Sequence, residues 1–237
     1  VDESLSYSFT GGISGTGGLV KTGSADLTLS GTNTYTGTTT INAGQINVYG
    51  GAAIADTSAV VVGSGTRLYV GADETIGSLA GAGEVMLGFN ATTPTLTVGG
   101  DNTSTTFTGQ IVGPGGLTKT GTGTQTLGGV NSDYSGATNI EAGTLVVSGE
   151  TAVGDGSAVT IASGATLTIE PGATIFLGSG LNITVANGGR LLAEGTATNR
   201  IYFAATPGSG VNWGGLIIDG AVGSPETRIA HAHFEGN

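Results

Sequence analysis

The chain has 237 residues, of which 47 are glycine, 5 proline and none cysteine, and only 10% are charged. Six basic against seventeen acidic residues give a net charge of −11, the wrong sign for neutralising nucleic-acid phosphates or an anionic membrane. The missing cysteine excludes zinc–thiolate centres and disulfide scaffolds, and a disordered acidic chain would carry more charge and fewer aliphatics.

In chain order the first feature is Phe9-Thr-Gly-Gly-Ile-Ser-Gly-Thr-Gly-Gly-Leu-Val-Lys-Thr-Gly23, a run that already repeats glycine corners. Short alternating stretches follow at Leu27–Leu29, Ile41–Ala43, Ile46–Val48, Leu68–Val70 and Leu96–Val98. The opening run then returns as Phe107-Thr-Gly-Gln-Ile-Val-Gly-Pro-Gly-Gly-Leu-Thr-Lys-Thr-Gly121, with Phe9 matching Phe107 and Lys21 matching Lys119 at an offset of 98. Beyond one inserted residue the offset is 99, as Tyr35 matches Tyr134, Ile41 matches Ile140 and Val48 matches Val147. The insertion predicts a loop or bulge near Asp133. Leu145–Val147 and Leu167–Ile169 continue the alternation.

Period two bounded by Gly, Asn, Asp and Ser predicts β-strands, and no apolar stripe of helical period outlasts a turn. Hairpins would show Asn-Gly or Asp-Gly turns throughout, yet such pairs are few, as at Asn187-Gly188 and Asp219-Gly220. A long direct repeat of short strands fits a solenoid, in which each coil stacks on the last. The fold class is therefore all-β, a right-handed single-stranded parallel β-helix. At about 20–22 residues per coil and about 4.8 Å per coil, about eleven coils would form a rod of roughly 50–55 Å. Val1 already lies inside the pattern, so the chain is expected to be a piece of something longer.

Gly17-Gly18-Leu19-Val20-Lys21-Thr22-Gly23, Leu27–Gly37 and Thr39-Thr40-Ile41-Asn42-Ala43-Gly44 resemble the passenger-associated transport repeat of bacterial autotransporters. The second copy reads Gly115–Gly121, Leu127-Gly128-Gly129-Val130-Asn131, Tyr134-Ser135-Gly136 and Ile140-Glu141-Ala142-Gly143-Thr144-Leu145. The two copies cover about 9–50 and 107–149 of a single β-helix over 1–237, and generic coils fill 150–237. The resemblance implies a passenger fragment, secreted or displayed at the surface of a Gram-negative bacterium, whose repeats assist export and folding. It also implies an outer-membrane translocator in the parent protein. Partners would be a host or neighbouring-cell surface, with a glycan among the candidate ligands.

The chemistry-bearing residues cluster late. In a strand His231, His233 and Glu235 would share one face, and two imidazoles with a carboxylate suit metal binding or acid–base work. Asp219 and Glu226 are further late carboxylates, and Trp213, the only tryptophan, is a candidate ligand contact. These define the alternative function, a carbohydrate-active or otherwise catalytic β-helix with its site near 213–237. Against it, no nucleophile motif and no phosphate loop occur, and no cofactor is expected. The leading expectation is a structural and adhesive rod, with Tyr35 and Tyr134 as exposed aromatics that pack at corners. A terminal coil near Arg228–Asn237 would expose strand edges, which predicts dimeric or end-to-end self-association.

Overall fold

A computed structural model describes residues 5–130, 132–150, 153–154, 156–207 and 212–235. Among these the chain forms 27 short strands and no helix. Every strand pairing is parallel, and the one antiparallel contact is an isolated bridge between Ser179 and Trp213. The two Gly-containing hairpin signals thus make no hairpin.

Three sides recur along the axis. The first is a seven-stranded sheet running from Tyr7–Phe9 to Asp133–Tyr134. The second has ten strands, one per turn, from Leu19–Lys21 to Arg228–Ala230. The third has seven, from Glu74–Ile76 to Gly215–Ile218. A three-stranded sheet of Thr174–Leu177, Ile201–Ala205 and Ala232–Glu235 replaces the first side in the last turns.

Ten strands on the second side correct the expected eleven coils, because the period is not constant. Lys21 to Ile41 is 20 residues (41 − 21), but Ile169 to Ala193 is 24 and Ala193 to Ile229 is 36. The nine steps make about 43 Å at about 4.8 Å each. The extra residues loop outward, where added length costs little closure entropy.

Inward positions hold the aliphatics. Leu27, Ile46, Leu68, Val85 and Ile111 stack in register on the first side. Leu127, Val147, Ile169 and Ala193 do so on the second. Apart from Leu27 and the smaller Ala193, these side chains are almost fully buried, each stabilising by about 1.5–3 kcal/mol relative to exposure. The strict alternation of buried and half-buried residues at Ala59–Val62, Glu84–Leu87 and Thr144–Val147 follows from the pleat.

The two repeat copies do not lie on the same sides. Four full turns carry Lys21 to Phe107, and two further sides are needed to reach Lys119. Ile41 consequently belongs to the second side and Ile140 to the third. The inserted residue also sits earlier than the sequence suggested. Gly31 and Gly129 still match at 98, each with its hypothetical Cβ about 2 Å from the carbonyl oxygen of Gly11 or Gly109. Asn33 and Ser132 already match at 99, since their side-chain oxygens accept from the Ile13 and Ile111 amides. The extra residue therefore lies between Gly129 and Ser132, beside the exposed Val130.

Where strand pairing lapses, buried polar side chains take over. Asn33 Oδ1 accepts from the Ile13 amide at 2.6 Å, and its Nδ2 donates to the Ala53 carbonyl at 2.5 Å. Glu74 then accepts from the Ala53 and Ile54 amides at 3.2 and 2.8 Å. Gln125 spans two turns, donating to the Leu79 carbonyl at 3.0 Å and accepting from the Leu79 amide at 3.4 Å. Backbone groups that would be orphaned in the dry interior are satisfied this way.

The repeat lysines do the same at a corner. Lys119 is 1% exposed, and its Nζ donates to the carbonyls of Thr120, Gly121 (3.0 Å) and, one turn on, Ala142 (3.4 Å). Lys21 donates likewise to Gly23 and to Ala43 at 3.0 Å. Burial holds the Lys119 ammonium below its ordinary pKa, and Asp101 pulls it back up. Lys119→Met keeps the stem but strands three carbonyls, so denaturant unfolding should show a loss of about 1.5–3 kcal/mol. A variant as stable as the parent would remove the clamp from the account of the fold.

Candidate functional site

Of the late residues singled out by the sequence, Trp213 meets the backbone of Glu235, while the ionisable side chains form no cluster able to hold a metal among the described residues. The chain turns its corner at His231, whose φ is +47°, between Arg228–Ala230 on the second side and Ala232–Glu235 on the next. Strand alternation begins only at Ala232, so His231 does not share a face with His233 and Glu235 by the pleat that was expected. His233 lies against Tyr202 with ring centres 5.5 Å apart. Asp219 follows the third-side strand Gly215–Ile218 and is exposed. Glu226 pairs with Arg228 at 3.4 Å. Among the described residues no group of three or more His, Asp or Glu is placed to hold a metal.

Trp213 is half-buried at the end of the core. Its Nε1 donates to the Glu235 carbonyl at 3.1 Å, and its ring lies 6.3 Å from Phe234 at 17°. Phe234 in turn stacks on Phe203 at 4.9 Å and 8°. The indole thus covers part of an inward-pointing ring. Tyr35 and Tyr134, read as exposed, are 2% and 0% exposed, with hydroxyls bonded to Thr39 (2.5 Å) and Thr138 (2.6 Å). Their packing at a corner is as expected, but their exposure is corrected.

A different surface gathers polar and aromatic groups: the outer face of the first side over its middle turns. Gln45, Arg67 and Glu84 stand in register on successive turns. Gln45 Nε2 donates to Asn47 Oδ1, Arg67 Nη1 donates to Gln45 Oε1 at 3.5 Å, and Arg67 Nε meets Glu84 Oε1 at 2.5 Å. They wall a groove of about 610 Å³ at the adjoining corner. Asn47 and Tyr69 form the next outward row, and Tyr49 lies beyond it, 50% exposed. The Tyr49 and Tyr69 rings are 5.7 Å apart at 55°. Both reach over Gly71, where a Cβ would come within 2.4 Å of Tyr49 and 3.0 Å of Tyr69. Sequence reasoning missed this surface, although Gln45-Ile-Asn-Val-Tyr49 and Arg67-Leu-Tyr69 carry the outward alternation 22 residues apart.

Residues 19–48 and 117–147 match the passenger-associated transport repeat. Residues 136–234 match the pectate-lyase-like β-helix domain. The chain is similar to an adhesin autotransporter, BmaC, of Brucella suis biovar 1 (strain 1330). The two are 41% identical over 125 residues, 51% of this chain and 3% of that protein. The chain therefore spans a small fraction of the relative's length. No solved structure matches it.

Proposed function

From the premise that this chain is a stretch of autotransporter passenger folded as a parallel β-helix and secreted or carried at a Gram-negative cell surface, we propose that it works as an adhesive rod. The observation that carries this reading is the ten-stranded side, whose unbroken cross-turn pairing makes a stiff spacer along the whole axis. The transport repeats would assist export and folding, and a translocator in the parent protein would deliver the chain to the surface. Its partner would be a host or neighbouring cell. The relative's name as an adhesin supports that choice.

The reading includes end-to-end self-association. Inward-pointing Tyr7 and Phe9 in the first turn and Phe234 in the last are 42%, 41% and 48% exposed. A second copy stacked head to tail would cover these rings and continue the parallel ladder, the ordinary hazard of an open strand edge. Sedimentation over a hundredfold range of protein concentration should show mass rising with concentration, and Phe9→Asp with Phe234→Asp should abolish the rise. A monomer at every concentration would remove self-association from the proposal.

The adhesive function itself is tested by beads coated with the chain and applied to cultured epithelial cells. Adherence several-fold above beads coated with an unrelated β-helix of similar length is expected. Equal adherence would overturn the reading. New reducing ends released from polygalacturonate would instead favour a catalytic β-helix.

A further inference from the structure

We infer that the outer face of the first side, around Gln45, Asn47, Tyr49, Arg67, Tyr69 and Glu84, binds a neutral glycan chain. The inference rests on the adhesive reading and names a ligand class and a place for it. A sugar ring offers a patch of C–H groups on its face and a rim of hydroxyls that donate and accept. The face described above matches both. Tyr49 is an exposed ring that the core does not use, backed by the tilted, half-buried ring of Tyr69, and aromatic rings supply apolar area with little loss of side-chain freedom. Beside it stand the Gln45 amide, the Arg67 guanidinium and the Glu84 carboxylate, planar groups able to bond adjacent hydroxyls, over a buried Asn47 that is bonded to Gln45 and Thr28.

Their spacing suits a polymer. Gln45, Arg67 and Glu84 repeat along the rod axis at the interval between turns, about 4.8 Å. The groove continues the same row of residues rather than opening elsewhere. A few convergent polar groups beside an apolar surface are what a ligand site needs.

The electrostatics select a neutral chain. The chain carries a net charge of −11. Glu84 already holds the Arg67 guanidinium, and the lysines at 21 and 119 point into backbone carbonyls. An acidic polysaccharide would meet a repulsive field and no clustered cations.

Gly71 is part of the design. It leaves room for Tyr49 to lie across the strand, so Gly71→Ala should push that flexible ring aside while leaving the backbone in place. Titration calorimetry with cellohexaose, maltohexaose, chitohexaose and a heparin hexasaccharide tests the site. At least one neutral hexasaccharide should bind. Tyr49→Ala and Arg67→Ala should each weaken it about tenfold, Gly71→Ala several-fold, and Tyr202→Ala, on the three-stranded sheet, not at all. Tyr49→Phe should retain binding, which separates loss of the platform from loss of the fold. Failure of all three neutral probes at millimolar concentration, tighter binding of the heparin fragment, or unchanged binding by Tyr49→Ala would each overturn the assignment. If the coated beads still adhere to cells in that event, the adhesive rod survives and only this site is lost. Failure of both assays removes the two together.

Discussion

Tyr134→Ala is expected to lower the unfolding free energy by about 3–5 kcal/mol, the range for deleting a large buried aromatic. The ring has no solvent exposure. It packs against Gly154, where even a Cβ would come within 2.7 Å of the ring, so no neighbouring side chain can swing in to fill the void. Tyr134→Phe keeps the volume and removes the hydroxyl's bonds, the 2.6 Å one to Thr138 and one to the Gly154 backbone, and should cost about 1 kcal/mol. Tyr35 occupies the equivalent corner of the first repeat, with Thr39 in place of Thr138. The two tyrosines are far apart along the rod and share no partner, so their alanine effects should add. A solenoid lets one region open before another, so calorimetry should show the Tyr134→Ala transition split or broadened. Urea midpoints unchanged by Tyr134→Ala would refute the corner-packing role.

The second large effect is a pH dependence. Glu74 faces inward on the first strand of the third side and is 2% exposed. Burial pushes its carboxyl up to about 8, against the Ile54 and Ala53 amides that favour the ionised form, and Asp56 adds a small upward push. In the unfolded chain the group returns to its ordinary value of about 4.5. The folded state therefore holds the proton more tightly. Its contribution to stability is fully present below about pH 4.5 and is lost as pH rises through about 8. At about 1.4 kcal/mol per unit the full loss is on the order of 4–5 kcal/mol. Glu74→Gln should flatten this profile. At about pH 5 the variant should be less stable by about 1–2 kcal/mol, because the amide can accept from Ile54 but leaves the Ala53 donor unpaired. Near pH 9 it should be the more stable protein, so the two melting curves cross. Asp101 runs the other way. Hydrogen bonds from Ser78 and Thr103 hold it below its ordinary value despite burial, and it destabilises the fold only in acid. Parallel profiles for parent and variant between pH 5 and 9 would refute the account of Glu74.

Much of the fold was legible in short stretches of sequence. Leu68-Tyr-Val and Leu167-Thr-Ile declare strands because alternation reports which face is dry, and that is a local property. The matched copies around Lys21 and Lys119 declare a stack, since a direct repeat of short strands has nowhere else to bury its aliphatics. The shared face expected for His231, His233 and Glu235 failed for the same local reason. His231-Ala-His-Phe-Glu235 reads as one strand until the chain turns a corner inside it, and a single residue at positive φ is not announced by its neighbours.

The sequence by itself determined that the chain is a parallel β-solenoid with two repeat copies whose tyrosines and lysines occupy matched positions. The hydrophobic period and the glycine spacing leave no other way to cover the apolar residues. The tertiary structure alone decided which residues become neighbours across turns, because that depends on the length of every coil between them. Coil lengths from 17 to 36 residues set the ten stacked strands of the second side, rotated the second repeat by one side, and brought Glu74 under Ala53. The same summation placed Arg67 between Gln45 and Glu84. Register between turns is a long-range quantity, fixed by loops whose lengths carry no hydrophobic signal.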